Sequence, residues 1–314
     1  MDGMVTVPSS LIAPALRLMR ANRVFVTADG ARRRVRELEL RPTPYGPPSR
    51  LRRDVRVEVS QRGWPVYTIT PFGSTPTGSV VYVHGGGWLN QIAGQHWHLA
   101  AQIAAEANTV VTVPIYPLVP FGTAAVVAAG VVDLVRQNRE WYGTTCIAGD
   151  SAGGQIALST ALALRDEHGI TLPRTVLISP ALDLSWSNPR IPAVQPSDPW
   201  LATPGGEVLA QLWKGDRDIL DPVVSPLMGD LAGLGPLTLF SGSRDVLNPD
   251  AHLLAGKAAA AGVDLDFHEA AGQVHVYPLL PTTIGGDARA TIVNALRLGV
   301  TAPLSVGETP PAPR

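Results

Sequence analysis

The chain has 314 residues, of which 45% are hydrophobic, with 31 glycines, 29 prolines and a net charge of −1. That length supports one large α/β domain with a substantial core and accessory helices. The near-neutral charge, without interleaved aromatics on a basic stripe, argues against a nucleic-acid-binding module. A single cysteine, Cys146, leaves no intrachain disulfide and reads as a small buried hydrophobe. No apolar run reaches transmembrane length.

In chain order, residues 1–50 come first as an N-terminal segment. It has helical runs at Leu11–Arg20 and Ala31–Leu40, then a stretch with Pro42, Pro44, Pro47 and Pro48. The start lacks a basic n-region, and Pro8 and Pro14 interrupt its apolar stretch, so no signal peptide is expected and the cytoplasm is the expected compartment. Residues 1–60 hold twelve arginines against six acids. This excess reads as attraction to acidic lipid or an acidic substrate, or, more simply, as a solvated helix face on which Arg33 and Glu37 have the i,i+4 spacing of a surface pair.

Residues 51–300 show the βα alternation of a mostly parallel sheet covered on both faces. Strand patterns at Val55–Val59 and Val66–Ile69 read as an antiparallel entry. Strand and helix patterns then alternate: Val80–Val83, His98–Ala107, Thr109–Val113, Ala124–Asn138, Thr144–Ala148, Gln155–Arg165 and Arg174–Ile178. An insertion at about 185–221 breaks the rhythm and exceeds an ordinary loop. Residues 301–314, with Pro303, Pro310, Pro311 and Pro313, read as a flexible tail.

Two glycine-rich motifs carry the chemistry. Gly149-Asp150-Ser151-Ala152-Gly153-Gly154 sits between a strand pattern and a helix pattern, the strand–turn–helix setting of a nucleophile elbow. The turn tolerates only small neighbours, and Gly149, Ala152 and Gly153 supply them. Upstream, His84-Gly85-Gly86-Gly87 follows the buried-strand pattern Val80–Val83. Backbone N–H groups reach an oxyanion only where no side chain blocks the approach. The N–H groups of Gly86, Gly87 and Ala152 are therefore the candidate oxyanion donors.

Together the two motifs resemble the hormone-sensitive-lipase-like esterases, a branch of the α/β-hydrolases. The likeness continues through Tyr116–Pro120, Ser179–Leu184, Asp221–Leu227, Gly242–Leu247 and Gly272–Tyr277, covering roughly residues 50 to 300. The first of these segments, Tyr-Pro-Leu-Val-Pro, departs from the Tyr-Arg-Leu-Ala-Pro-Glu of many members. The resemblance implies an α/β-hydrolase fold with a helical cap built from the N-terminal segment and the insertion.

Chain order selects the rest of a triad, because α/β-hydrolases run Ser, then acid, then His. His268 lies in an alternating strand pattern and His252 in a helical run after Pro249-Asp250. His275 follows the strand in the Gly-x-x-His context where the family's catalytic histidine falls. Asp245 lies just past the strand Pro236–Gly242, whereas Asp250 suits the first turn of a helix. Ser151, Asp245 and His275 are thus the candidate triad. Asp150 reads as a buried hydrogen-bond partner for the loops, and His84 as a holder of the glycine loop. His96 and His98 flank Trp97 just before a helix, with no nearby cysteine or clear acidic partner for a metal.

Trp88 follows the glycine loop directly, and Trp186, Trp200 and Trp213 lie in the insertion. These four are candidate substrate-binding residues, with gluing of cap to core as the other reading of the insertion's three. The expected function is hydrolysis of short- to medium-chain carboxylic esters through an acyl-enzyme, without cofactor or metal. The alternatives are lactone or amide hydrolysis by the same parts, and a non-catalytic receptor on this fold. The expected partner is a small-molecule ester. Neither nucleic acid nor integral membrane association is expected, and a homodimer is compatible with the sequence.

Overall fold

Alternation along the central strands explains the layering. In Ser79–Val83, Val80 and Tyr82 join one hydrophobic cluster, while Val81 and Val83 join the cluster on the other side. All are fully buried, and each buried aliphatic side chain contributes about 1.5–3 kcal/mol. A segment apolar on both faces can rest only between two helical layers. The structure, a computed structural model, describes residues 6–302. The tail expected over 301–314 falls, from residue 303 on, outside the described residues.

The strands are β1 (Val55–Arg62), β2 (Trp64–Pro71), β3 (Ser79–Val83), β4 (Val110–Pro114), β5 (Thr145–Asp150), β6 (Thr175–Ile178), β7 (Leu237–Gly242) and β8 (Leu265–Ala270). Among the described residues they form one eight-stranded sheet in the order β1-β2-β4-β3-β5-β6-β7-β8. β2 runs against both its neighbours, and every other pairing is parallel. The helices are α1 (Ser9–Leu18), α2 (Ala28–Leu40), α3 (Gly94–Glu106), α4 (Ala124–Tyr142), α5 (Ala152–His168), α6 (Ile191–Val194), α7 (Thr203–Trp213), α8 (Asn248–Ala260) and α9 (Thr283–Thr301). Leu99 and Ile103 of α3 and Ile292 and Leu296 of α9 fill one face of the sheet. Val127 and Val131 of α4, Ile156 of α5 and Leu254 of α8 fill the other.

The N-terminal segment and the insertion meet each other. α2 packs on α7, the Gly205 N–H donates to the Phe25 carbonyl at 2.8 Å, and Arg17 donates to the Ser197 carbonyl at 3.2 Å. Several boundaries differ from the sequence pattern. α3 begins at Gly94, so His96 and His98 lie inside it rather than ahead of it. α5 begins at Ala152, immediately after Ser151. Glu37 pairs at 3.3 Å with Arg34, three residues before it, rather than with Arg33. Among the described residues no helix is long and apolar enough to cross a membrane.

Candidate active site

Four parallel strands end at the same edge, and each hands over to one piece of the site. β3 runs into His84–Gly87, β5 into Ser151, β7 into the turn holding Asp245, and β8 into the loop holding His275. Carboxyl ends of parallel strands are where open α/β sheets place their sites.

The elbow is tight because Gly149 and Gly153 approach each other without side chains. A Cβ on Gly149 would collide with the Gly153 carbonyl, and one on Gly153 with the Val83 carbonyl. Between them Ser151 takes φ 52° and ψ −118°, a strained conformation for an L-residue. It is held there from both sides: the Ser151 N–H donates to the Ile178 carbonyl at 2.8 Å, and the Ser151 carbonyl accepts from Ala181 at 3.1 Å.

The Ser151 hydroxyl lies 2.9 Å from His275 Nε2. His275 Nδ1 lies 2.8 Å from Asp245 Oδ2. A carboxylate only accepts, so the imidazole proton sits on Nδ1 and leaves Nε2 free to accept from Ser151. Asp245 is wholly buried, and its Oδ1 accepts from the Leu247 N–H at 2.9 Å. Burial alone would lower the His275 pKa. The charge and hydrogen bond of Asp245, with the charges of Asp198 and Asp150, outweigh burial and raise it above the ordinary value. The structure therefore brings Ser151, His275 and Asp245 into one relay, a geometry suited to activating a hydroxyl for acyl transfer.

The other titratable candidates lie elsewhere. Asp250 sits in the first turn of α8, where Oδ1 accepts from Asn188 at 2.7 Å; burial pushes its pKa up to about 6. His252 faces Glu269 at 2.9 Å, and His268 faces Asp266 at 2.8 Å, both near the surface. His84 Nδ1 donates to the Gly85 carbonyl at 2.6 Å, and burial, with His96 beside it, pushes its pKa down to about 4. It is a neutral brace for the glycine loop. Asp150 Oδ1 accepts from Tyr82 at 2.7 Å and from the Gly85 N–H at 3.0 Å, which pins that loop to the elbow. His96 Nδ1 accepts from the Ala93 N–H at 2.9 Å, so its Nε2 carries the proton facing Asp150 Oδ2 at 3.3 Å.

Gly86, Gly87 and Ala152 line one cavity with Ser151 and His275. Its volume is about 190 Å³. Gly86 has φ +125°, and a Cβ there would meet the Asn90 carbonyl at 2.5 Å, so only glycine leaves this wall open. Trp88, Trp186 and Trp200 also line the cavity, with Phe25, Leu201, Leu209 and Leu247 completing its apolar side. Trp200 stands edge-on to the His275 ring, centroids 6.0 Å apart.

Trp213 corrects the sequence reading. It is fully buried and absent from the cavity wall. Its indole stacks on Trp88 at 5.7 Å, and its N–H donates to Gln155 Oε1 at 2.8 Å. The Trp88 indole N–H donates to the same oxygen at 3.1 Å. A buried indole N–H gains from an acceptor, and Trp213 and Trp88 share one in Gln155.

Three contributors escaped the sequence reading. Phe25 gave no signal in a short irregular stretch. Gln155 gave one: a long polar side chain on a helix whose neighbours are small and apolar. Asp198, buried in the insertion, accepts from the Trp200 and Leu201 N–H groups through Oδ1 and from the Val246 N–H through Oδ2, at 2.7–2.9 Å. It ties the insertion to the residue next to Asp245. Burial, with the Asp245 charge, pushes its pKa up to about 6.

A sheet of this order with a Ser–His–Asp relay at its carboxyl edge defines the α/β-hydrolase architecture. Comparison with known proteins agrees. A family model described as alpha/beta hydrolase fold matches residues 80–279. The chain is 34% identical to a triacylglycerol lipase of Mycobacterium tuberculosis across 69% of its own length and 46% of that protein, so it spans about half of that relative. It is 32% identical to an acetyl-hydrolase of Streptomyces hygroscopicus across 65% of its length and 70% of that protein. Among solved structures, an esterase from the bacterial hormone-sensitive lipase family superposes with a TM-score of 0.74 at 27% identity, covering 93% of this chain and 98% of that one. The chain belongs to the α/β-hydrolase family, and its similarity extends to esterases of the hormone-sensitive-lipase branch.

Proposed function

We propose that the chain is a serine carboxylesterase acting on small esters through an acyl-enzyme. The observation that carries this reading is the Ser151–His275–Asp245 relay, with contacts of 2.9 and 2.8 Å, opening onto a partly apolar cavity. In this mechanism Ser151 Oγ attacks the ester carbonyl carbon while its proton passes to His275 Nε2. Asp245 stabilises the resulting imidazolium through Nδ1–H. The N–H groups of Gly86, Gly87 and Ala152 hold the oxyanion. The imidazolium then protonates the leaving alcohol, and the acyl group stays on Ser151. Water, deprotonated by His275, attacks the acyl-enzyme, and collapse of the second tetrahedral intermediate frees Ser151.

The proposed acyl preference, roughly two to eight carbons, is the one the resemblance to the hormone-sensitive-lipase-like esterases implies; each added methylene contributes about 0.8 kcal/mol only while the cavity covers it. A cavity of about 190 Å³ supports a short chain. Trp88, Trp186 and Trp200 are its proposed substrate contacts, and the N-terminal segment with the insertion is its proposed cap.

The test has two arms. Ser151→Ala should abolish labelling by an organophosphonate while leaving the far-ultraviolet spectrum unchanged. In the wild type, kcat/KM along p-nitrophenyl esters should peak within the short to medium range. Full labelling of the variant would remove Ser151 as nucleophile. A rate that climbs through palmitate and jumps on emulsified triglyceride would replace the esterase reading with a lipase one.

A further inference from the structure

One face of α1 is apolar and uncovered. Ala13 is buried and Ile12 and Leu16 are half-buried against the protein, which accounts for the inner face. Leu11, Ala15 and Leu18 recur at i, i+4 and i+7, the spacing of a second stripe. All three are exposed, Leu18 at 87%, and Met19 follows at 72%. Water-facing leucines on this outer stripe gain nothing for the fold, because only the inner face contributes to burial.

The charge around this stripe has one sign. Residues 6–28 contain Arg17, Arg20 and Arg23 and no acidic side chain. Further along, α2 carries Arg32, Arg33, Arg34 and Arg36 against Asp29, Glu37 and Glu39, and Asp29 and Glu37 pair with Arg32 and Arg34 at 3.0 and 3.3 Å. An exposed apolar stripe bordered by arginines is complementary to a surface that offers acyl chains beneath anionic headgroups.

The position suits such a surface. Arg17 anchors α1 to the Ser197 carbonyl in the insertion, three residues before Trp200 in the cavity wall. After α1 the chain leads within seven residues to Phe25, which lines the same cavity. We infer that α1 is an interfacial docking helix that seats this enzyme on an anionic lipid surface, close to the wall of the ester-binding cavity. Docking leaves the relay untouched and requires no opening of a lid. It is independent of which ester is cleaved.

Binding is read directly, by co-sedimentation with phosphatidylcholine vesicles made with and without phosphatidylglycerol. The protein carries Ser151→Ala, so catalysis plays no part in the readout. Sedimentation is expected only with phosphatidylglycerol, and should be lost on raising the salt to about 0.5 M, where the Debye length falls well below that at physiological strength. Leu18→Gln with Met19→Gln should weaken binding at least tenfold. Arg20→Gln and Arg23→Gln should weaken it about fivefold each, the equivalent of about 1 kcal/mol per arginine. Leu11→Gln, on the same stripe, is the second apolar variant. With Ser151 restored, all these variants should keep wild-type turnover of p-nitrophenyl butyrate, which shows that they fold.

Absence of sedimentation with phosphatidylglycerol vesicles overturns the inference. So does equal sedimentation with phosphatidylcholine alone, or wild-type binding by both apolar variants. A wild-type dimer that Leu18→Gln with Met19→Gln converts to a monomer also overturns it, because a second copy would then cover the stripe.

Discussion

Replacing Asp198 by asparagine removes one negative charge near the relay while keeping the side chain's shape. The geometry sets two opposing effects on stability. Asparagine has one acceptor oxygen, which can keep the Trp200 and Leu201 N–H groups, but its NH2 then faces the Val246 N–H now bonded at 2.8 Å. A buried donor left unpaired costs about 1–3 kcal/mol. Against this, burial and the neighbouring Asp245 raise the Asp198 pKa from 3.8 to about 6, and a raised acid destabilises the fold once ionised. Two units correspond to about 3 kcal/mol, present above pH 6 and relieved as pH falls toward 4. The variant is free of that penalty. At pH 8 the two effects nearly offset each other, so Asp198→Asn should stay folded, within about 2 kcal/mol of wild type by urea unfolding.

The kinetic effect then stands clear. His275 must be neutral to accept the Ser151 proton, so kcat/KM falls as pH drops through its pKa. That pKa is raised, and Asp198 is one of the charges that raise it. Without the Asp198 charge the imidazolium is less favoured, and the acidic limb should move to lower pH by about half to one unit, less than the effect of a carboxylate in direct contact. The measurement is kcat/KM for p-nitrophenyl butyrate from pH 5 to 9 in wild type, Asp198→Asn and Asp250→Asn, the last as a control whose limb should not move. An Asp198→Asn limb that stays put or moves up would refute the electrostatic argument. A change in KM alone would confine Asp198 to shaping the cavity wall.

Two other substitutions test the site's supports. Asp245→Asn should lower kcat by about four orders of magnitude, because an amide holds the wrong tautomer and cannot stabilise the imidazolium; Asp250→Asn should have a far smaller effect, and the reverse result in steady-state assays would make Asp250 the triad acid. Gln155→Leu strips the acceptor shared by Trp88 and Trp213 and should cost about 2–6 kcal/mol in urea unfolding, from two buried N–H groups at about 1–3 kcal/mol each; a loss below about 1 kcal/mol would mean both indoles find other acceptors.

The parts legible in the sequence were those whose chemistry is local. The elbow announces itself because its small residues are contiguous, and chain order with strand ends then narrows the acid and the histidine to Asp245 and His275. The layered sheet was legible because Val80 to Val83 is apolar at every position. The cavity wall was not, since it is assembled from segments distant in sequence. The insertion's tryptophans look alike as letters. Trp186 and Trp200 reach the cavity, whereas Trp213 is drawn inward by Gln155, which lies 58 residues away. Asp198 was equally hidden: an aspartate before a proline in a turn-rich stretch reads as a turn, and only the fold brings Val246 to it.

Backbone strain concentrates at this edge of the sheet. Seven non-glycine residues have positive φ among those described, and Trp88, Ser151, Ser179, Trp186 and Val276 all belong to loops around the relay. Such conformations cost of order 1–3 kcal/mol each and persist only where the surroundings over-determine them. Here the restraints are identifiable. Ser151 is held by Ile178 and Ala181, Trp88 by Gln155, and Val276, next to His275, by its N–H bond to Ser179 Oγ at 3.0 Å. That last contact joins two strained residues, so the turn after β6 fixes the loop after β8. Displacement of Ser179 would therefore act on the imidazole through Val276, which also lines the cavity. The relay's alignment is thus maintained by the sheet and its buried hydrogen bonds, and the open cavity is left free to accept substrate.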